Sequence, residues 1–151
     1  MSLDPADPLT ALKALKALVV KDGVGLGGLP AVQQALALAL VWAGLPAGTA
    51  VSEREVNECL KAQLAGAAVF LATDHVELRR WLVDAGWLQR DGYGRAYRRV
   101  AADALAAEQR VLAEALVGVN AGAWVAETRA AQRARRETRR RDWLAARDAA
   151  A

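Results

Sequence analysis

The chain has 151 residues, of which 54% are hydrophobic and 25% are charged, with a formal net charge of +3. This length suits one domain with an extension, and it allows a buried core without disulfides or metals. The single cysteine excludes an internal disulfide and predicts a reducing, cytoplasmic location. The longest apolar run, residues 35–45, is too short for a membrane span of about 20 residues. Residues 1–8 have no signal-peptide pattern, so neither export nor a membrane partner is expected.

Charge is distributed unevenly along the chain. Residues 1–78 carry five basic and eight acidic side chains, a net charge of −3, whereas residues 79–151 carry 15 arginines and nine acidic side chains, a net charge of +6. A basic half predicts a polyanionic partner, and the planar fork of arginine suits phosphate and guanine. A GC-rich coding bias would also raise the arginine and alanine content. The positions of the arginines therefore carry more information than their number.

Two helices are predicted before residue 50. Residues 9–21 place leucines at helical spacing, with lysines mostly outside that face. A second helix begins at Pro30 and continues through Trp42, because Pro30 suits a first turn and Gly44 and Pro46 are helix-ending residues. Both helices are expected to cover the core of the following unit.

The loop between these helices contains Gly23, Gly25 and Gly28, which fit the dinucleotide-binding pattern G-x-G-x-x-G. That motif requires a preceding strand and an acidic residue about 20 positions later. The preceding segment is predicted to be helical, and no acidic residue lies between Asp22 and Glu53. The glycines are therefore interpreted as an interhelix loop.

Residues 52–86 predict two capped amphipathic helices. Ser52 and Glu55 form a capping box, in which the Ser52 hydroxyl accepts from the Glu55 amide and the Glu55 side chain reaches back to the Ser52 amide. The second helix has Asp74 as its N-cap, and Gly86 is suited to a left-handed C-terminal position. Each helix has one apolar face and one charged face.

After Gly86 the apolar period shortens to two residues. Residues 87–90 and 95–99 flank a turn at 91–94, whose two glycines permit positive φ, and they predict a two-stranded hairpin. Two helices followed by such a hairpin are typical of a winged helix-turn-helix, with the hairpin as its wing.

The chain from residue 101 onward is rich in helix-forming residues. Gly118, Asn120 and Gly122 interrupt it and predict a break near Val119. We therefore predict a mainly α fold. Residues 1–100 are expected to form a winged helix-turn-helix-like domain with a two-stranded β-hairpin wing. Residues 101–151 are expected to form a long C-terminal helical extension with an arginine-rich arm.

A set of fixed spacings also runs through residues 55–99. Its members are Glu55, Val56, Asn57, Leu60, Asp74, Leu78, Arg79, Arg80, Leu82, Val83, Asp84, Gly86, Leu88, Arg90, Gly94, Tyr97 and Arg99. In these positions the chain resembles the bacterial domain of unknown function 2087, a family often attached to helix-turn-helix regulators. Two features depart from that pattern: Val51 replaces an aromatic residue, and the spacer from Asn57 to Asp74 is longer than usual. The resemblance implies a winged-helix-like fold in a regulatory setting.

Arg79 and Arg80 lie on the polar face of the second capped helix, the candidate recognition helix. There they are placed to enter a major groove and to pair with a guanine or a phosphate. Glu77 and Asp84 lie three and four residues from Arg80, which opens an alternative. An intrahelical ion-pair network would engage Arg80, and both carboxylates would repel phosphate.

The predicted wing contains one acidic residue and four arginines, namely Arg90, Arg95, Arg98 and Arg99. Alternation along the last strand places Arg95, Tyr97 and Arg99 on one face and Arg98 on the other. Arg98 and the turn arginines are the better candidates for phosphate contact. Tyr97 is open to two interpretations, contact with nucleic acid or closure of the hairpin against the core.

Near the C-terminus, Arg129, Arg133, Arg136 and Arg140 recur at i, i+4, i+7 and i+11 and form one stripe on the predicted last helix. Such a stripe fits either a solvated charged face or a helix lying along a phosphate backbone. Trp143 lies near the stripe and fits either stacking on a base or anchoring of the helix to the body. Packing against the body is the favoured role for this tryptophan.

The inventory for catalysis is poor. One histidine and one cysteine cannot make a metal-binding set, and no convergent carboxylates are visible, so no enzyme activity, cofactor or metal site is predicted. The leading function is duplex DNA binding by a bacterial transcriptional regulator or DNA-maintenance factor, expected to be a homodimer. The alternative is a protein-interaction module whose arm docks on an acidic protein or on structured RNA, including a ribosomal surface. The predicted nucleic-acid contacts are Arg79, Arg80, Arg90, Arg95, Arg98, Arg99, Arg129, Arg133, Arg136 and Arg140.

Overall fold

The computed structural model describes residues 8–93 and 95–150, which contain six α-helices and three short strands. In chain order these are α1 (Pro8–Val19), α2 (Ala31–Ala43), β1 (Val51–Ser52), α3 (Glu53–Leu64), α4 (His75–Asp84), β2 (Leu88–Arg90), β3 (Ala96–Arg99), α5 (Ala107–Leu116) and α6 (Ala121–Ala150). Short 3₁₀ turns lie at Leu26–Gly28 and Ala102–Ala104. The mainly α prediction is confirmed, as are the two helices predicted before residue 50.

Side-chain caps begin α3 and α4 where the sequence predicts them. The Ser52 hydroxyl accepts from the Glu55 amide at 3.1 Å, and Asp74 Oδ1 accepts from the Glu77 amide at 2.8 Å. Half of the predicted capping box differs, because the Glu55 carboxylate accepts from the Ser52 hydroxyl at 3.1 Å instead of from the Ser52 amide. Each cap satisfies a backbone donor that has no partner inside its helix.

Gly86 turns the chain from α4 into the sheet. Its φ of 84° is in the left-handed region that only glycine adopts at little cost. The Gly86 amide donates to the Val83 carbonyl at 3.1 Å, and the Trp87 amide donates to the Leu82 carbonyl at 2.9 Å. These two bonds make a Schellman motif, which fixes the direction of the wing relative to α4.

The wing belongs to a three-stranded sheet. The prediction of a two-stranded hairpin therefore missed one strand, β1. The strand order is β1-β3-β2, with Val51 opposite Tyr97 and Leu88 opposite Arg99 in antiparallel pairs. β1 has only two residues, so no period-two pattern can reveal it. From α2 to β3 the order is helix, strand, two helices and two strands, which is a winged-helix-like arrangement.

Asp91 organises the turn of the wing. Its Oδ1 accepts from the amides of Tyr93 at 3.2 Å and Arg95 at 2.9 Å, and its own amide donates to the Ala96 carbonyl at 3.0 Å. The positive φ that the glycines permit is not used at Gly92, while Gly94 lies outside the described residues. A side-chain carboxylate therefore shapes this turn by accepting from main-chain amides.

One hydrophobic core joins the helices to the sheet. Trp42 and Trp87 meet in it with ring centroids 5.9 Å apart. Leu112 and Val125 belong to the same core, because α5 packs on α1 and α2 and the start of α6 packs on α1. The division near residue 100 stays a prediction, while the packed body continues through Thr128.

The glycine-rich loop is held by main-chain pairing. The Val24 amide donates to the Phe70 carbonyl at 2.9 Å, and the Ala72 amide donates to the Val24 carbonyl at 2.8 Å. This parallel bridge joins the loop to the segment before α4. With α1 before it and α2 after it, the segment is an interhelix loop, as predicted.

The predicted break near Val119 is also confirmed. α5 ends at Leu116, Gly118 adopts a φ of 79°, and Asn120 Oδ1 accepts from the Ala123 amide at 3.1 Å at the start of α6. The side chains of residues 133–150 are all exposed, so α6 leaves the body as a single helix about 27 Å long. We call residues 133–150 the arm. Within residues 8–93 and 95–150, no helix is long and apolar enough to cross a membrane.

Candidate nucleic-acid interface

The ten arginines predicted to contact nucleic acid fall into two groups. Three of them, Arg79, Arg99 and Arg129, are bonded to other parts of the body. The other seven are exposed, and their side chains have no hydrogen-bond or ion-pair partner among the described residues. These seven are Arg80, Arg90, Arg95, Arg98, Arg133, Arg136 and Arg140.

Arg99 closes the carboxyl end of α2. Its Nη1 donates to the carbonyls of Leu45 at 3.0 Å, Trp42 at 3.3 Å and Ala43 at 3.4 Å, and its guanidinium carbon lies 4.1 Å from the centroid of a Trp42 ring. Cations are favoured here because helix-end carbonyls carry partial negative charge. Burial lowers the pKa of Arg99 below its ordinary value, since desolvation disfavours the charged form. The side chain thus connects the sheet to the end of α2.

Arg79 joins α4 to α3 and to the sheet. Its Nη1 donates to Asn57 Oδ1 at 2.6 Å and to Glu53 Oε1 at 3.1 Å, and its guanidinium carbon lies 5.3 Å from the centroid of the Tyr97 ring. The side chain is only 17% exposed, and Glu53 compensates its charge. Tyr97 itself is 3% exposed, so of its two interpretations the structure shows closure against the core. Arg79 therefore helps to set the angle of α4.

Arg129 fastens α6 to the end of α1. Its Nη1 donates to the carbonyls of Val19 at 2.9 Å and Lys21 at 2.8 Å, and its Nη2 donates to Asp22 Oδ1 at 2.6 Å. These bonds satisfy carbonyls in and just after the last turn of α1. A contact of Arg79, Arg99 or Arg129 with nucleic acid stays a prediction, but each side chain already has a structural role.

A groove of about 250 Å³ runs between α4 and the wing. Arg80 lines it from α4, and Arg90 lines it from the end of β2. The alternative ion-pair network does not form, since no carboxylate of the described residues lies within 4.0 Å of the Arg80 guanidinium nitrogens. Glu77 instead accepts from the Thr73 hydroxyl at 3.2 Å. Arg80 is therefore available to an external partner.

Arg98 lies on the outer face of β3, opposite Gln89 of β2. A second, wider groove along this face is lined by both Arg90 and Arg98. Arg90 thus borders the groove of Arg80 and the groove of Arg98. We call Arg80, Arg90 and Arg98 together the wing surface.

Arg95 faces a different environment. It borders a groove between the wing turn and α3 that is also lined by two carboxylates and two cationic groups, those of Glu53, Glu58, Arg54 and Lys61. The two carboxylates offset two of the three positive charges that line this groove. A contact of Arg95 with nucleic acid stays a prediction, and the wing surface does not include it.

The arm carries the remaining three predicted contacts, Arg133, Arg136 and Arg140, all exposed. The favoured interpretation of Trp143 as an anchor to the body is wrong, because this residue is 60% exposed. Instead, the Arg147 guanidinium carbon lies 5.4 Å from the centroid of that ring, within the same helix. The arm therefore presents a charged stripe and one exposed aromatic residue to solvent.

The partners of Arg79 are the part of this region that the sequence did not indicate. Glu53 and Asn57 lie four residues apart on α3, a spacing that places two side chains on one helix face. A carboxylate and an amide on one face provide acceptors for a guanidinium. This pair is the feature of the sequence from which a bound arginine could have been predicted. Nothing in the sequence shows that α4 delivers Arg79 to that face.

The elements from α2 to β3, with the wing surface beside them, define a mainly helical protein with a winged-helix-like unit. Residues 30–99 match the family described as an uncharacterized protein conserved in bacteria (DUF2087), and over these residues the chain is similar to that family. The resemblance at residues 55–99 is thereby confirmed and extends back to α2. Neither the curated proteins nor the solved structures include a match to the chain.

Proposed function

We propose that the chain is a cytoplasmic, duplex-DNA-binding protein that contacts phosphates through the wing surface and the arm, in transcriptional regulation or DNA maintenance. The observation that supports this proposal is the contrast between two kinds of arginine. Arg79, Arg99 and Arg129 are bonded within the protein, whereas the three arginines of the wing surface have no partner among the described side chains. Unpaired guanidinium groups on neighbouring elements suit an external polyanion.

Phosphate contact is the main part of the proposed activity, and base reading is a smaller part. Phosphate contacts position a protein on duplex DNA, while base-edge contacts give sequence specificity. α4 presents Glu77 and Asp84 as well as Arg80, and both carboxylates repel phosphate. The affinity is therefore expected to come mostly from the wing surface and the arm.

A homodimer belongs to the same proposal. Helix-turn-helix proteins commonly bind two half-sites as symmetric dimers. α1 packs against α2, α5 and α6, and its exposed face carries Lys13 and Lys16. The arm is more exposed than α1 and is therefore the proposed site of dimerisation.

A salt series with the full chain tests the DNA proposal. If the wing surface and the arm neutralise five or six phosphates, the logarithm of the binding constant should fall linearly with log salt with a slope of about −5. Affinity then falls about a thousandfold between 50 and 200 mM salt. Fluorescence anisotropy of a labelled duplex measures this slope. A slope near zero, or no binding at low salt, would contradict the proposal.

One observation favours the second candidate, an arm that docks on structured RNA. The arm exposes Trp143 and Leu144 side by side. An exposed aromatic ring beside arginines is suited to stacking on an unpaired base, an interaction worth about 1–3 kcal/mol. Duplex DNA offers no such base, whereas RNA loops do.

The variant Trp143→Ala with Leu144→Ala separates the two candidates, since alanine keeps the helix intact. If the arm binds RNA, affinity for an RNA hairpin should fall about tenfold or more, while affinity for a DNA duplex of equal length stays the same. Filter binding measures both affinities. Equal affinity of variant and wild type for the hairpin would rule out a role of these two residues in RNA binding.

A further inference from the structure

We infer that Arg80 and Arg90 form a clamp for one phosphate group in the groove between α4 and the wing. The inference rests on the proposed function and deepens it, since the ligand is a backbone phosphodiester of duplex DNA. The two arginines come from different elements, α4 and β2, yet line one groove. Both guanidinium groups lack a carboxylate partner within 4.0 Å among the residues that the structure describes.

The size of the groove suits a single phosphate. Its volume of about 250 Å³ is below the range of roughly 300–1,000 Å³ that is usual for small-molecule and cofactor sites. It leaves room for one phosphate group with its ester oxygens. Val76, Val83 and Tyr97 supply apolar walls, and such walls strengthen a charge-assisted hydrogen bond by reducing solvent screening.

The remaining charges of the groove explain why a second arginine strengthens the site. Arg79 also lines it, but Glu53 compensates the charge of Arg79. Asp84 is a carboxylate lining the groove and repels an anion. Arg80 and Arg90 together outweigh Asp84 by one positive charge, whereas either arginine alone only balances it.

The clamp predicts a specific pattern of salt slopes in duplex binding. Arg80→Ala and Arg90→Ala should each weaken binding about tenfold but change the slope by less than 0.5, because the other arginine still contacts the phosphate. The double variant should reduce the magnitude of the slope by about 0.9, the value for one phosphate. Two independent contacts would reduce it by about 1.8, which would overturn the clamp.

Asp84→Asn gives a test in the opposite direction. Removing this carboxylate should tighten duplex binding several-fold, since a like charge no longer faces the phosphate. The matched control is Glu114→Gln, which removes an exposed carboxylate of α5 outside the groove and should leave affinity unchanged. Unchanged or weaker binding of the Asp84 variant would count against the clamp.

The failure of the clamp can be told apart from the failure of the proposed function. If wild-type protein binds duplex DNA with the expected salt slope but the double variant retains that slope, the clamp is wrong and the DNA proposal stands. If wild-type protein binds no duplex, the proposed function fails, and a titration with inorganic phosphate follows by NMR of the arginine Nε–H signals. Joint shifts of the Arg80 and Arg90 signals would support a site for free phosphate, and unshifted signals would exclude any anion site in this groove.

Discussion

Arg99→Ala is expected to lower the free energy of unfolding by about 2–4 kcal/mol, a large share of the stability of a small protein. The substitution removes a guanidinium nitrogen shared by three carbonyls at the end of α2 and the contact with the Trp42 ring. Hydrogen bonds from a charged donor contribute about 1.5–3 kcal/mol, and a partly buried cation–π contact contributes about 1–2 kcal/mol. Urea denaturation followed by tryptophan fluorescence measures the change.

The neighbouring residue provides the control for this prediction. Arg98→Ala removes the same side chain from the exposed face of the same strand and should change stability by no more than about 0.5 kcal/mol. The loss of stability in Arg99→Lys should lie between those of Arg98→Ala and Arg99→Ala. Lysine keeps a donor but lacks the planar group that stacks on Trp42. If the Arg98→Ala and Arg99→Ala variants were equally stable, the contacts of Arg99 at the end of α2 would contribute nothing to the free energy of unfolding.

Alternation along β3 was enough to place Arg98 and Arg99 on opposite faces of the strand. It predicts Tyr97 and Arg99 on one face, and the structure buries Tyr97 and turns Arg99 toward α2. A strand with one buried tyrosine directs its same-face neighbours toward the body. The missing information was which face is the buried one, because Tyr97 fitted either interpretation. Once that face is known, Arg98 is the member of the pair that faces solvent.

The structural roles of Arg79 and Arg129 could not be predicted from the sequence. Arg79 bonds to residues 22 and 26 positions away, and Arg129 bonds to residues 107 to 110 positions away. Helical spacing shows which residues share a face, but it does not show what that face packs against. The four arginines of the stripe on α6 therefore look alike in sequence, although the first, Arg129, lies at the end of the packed body.

Local chemistry was predicted well because its causes lie within a few residues. The caps at Ser52 and Asp74, the left-handed Gly86 and the break near Val119 each depend on neighbours no more than five positions away. β1 and the position of Trp143 depend on distant packing. The sequence therefore identified the winged-helix-like unit, while the structure decided which arginines are available to bind.

Alanine substitution of the whole wing surface, Arg80, Arg90 and Arg98, should weaken duplex binding about a hundredfold or more at low salt. If Arg80 and Arg90 share one phosphate and Arg98 contacts another, the triple variant loses two phosphate contacts. The magnitude of the salt slope should then decrease by about 2. The loss should be similar for duplexes of different sequence, because phosphates carry no base identity. Anisotropy titrations of several labelled duplexes over a salt series measure both quantities.

The charge-matched control replaces Lys13, Lys16 and Lys21 by alanine. These three exposed lysines belong to α1 and the residues just after it, so their loss lowers the net charge equally without touching the wing surface. The Arg129 contact at Lys21 uses the main-chain carbonyl and survives the substitution. If both triple variants lose the same affinity, binding follows net charge alone. Only a selective loss in the arginine variant, with its free energy of unfolding unchanged, places the phosphate backbone on the wing surface.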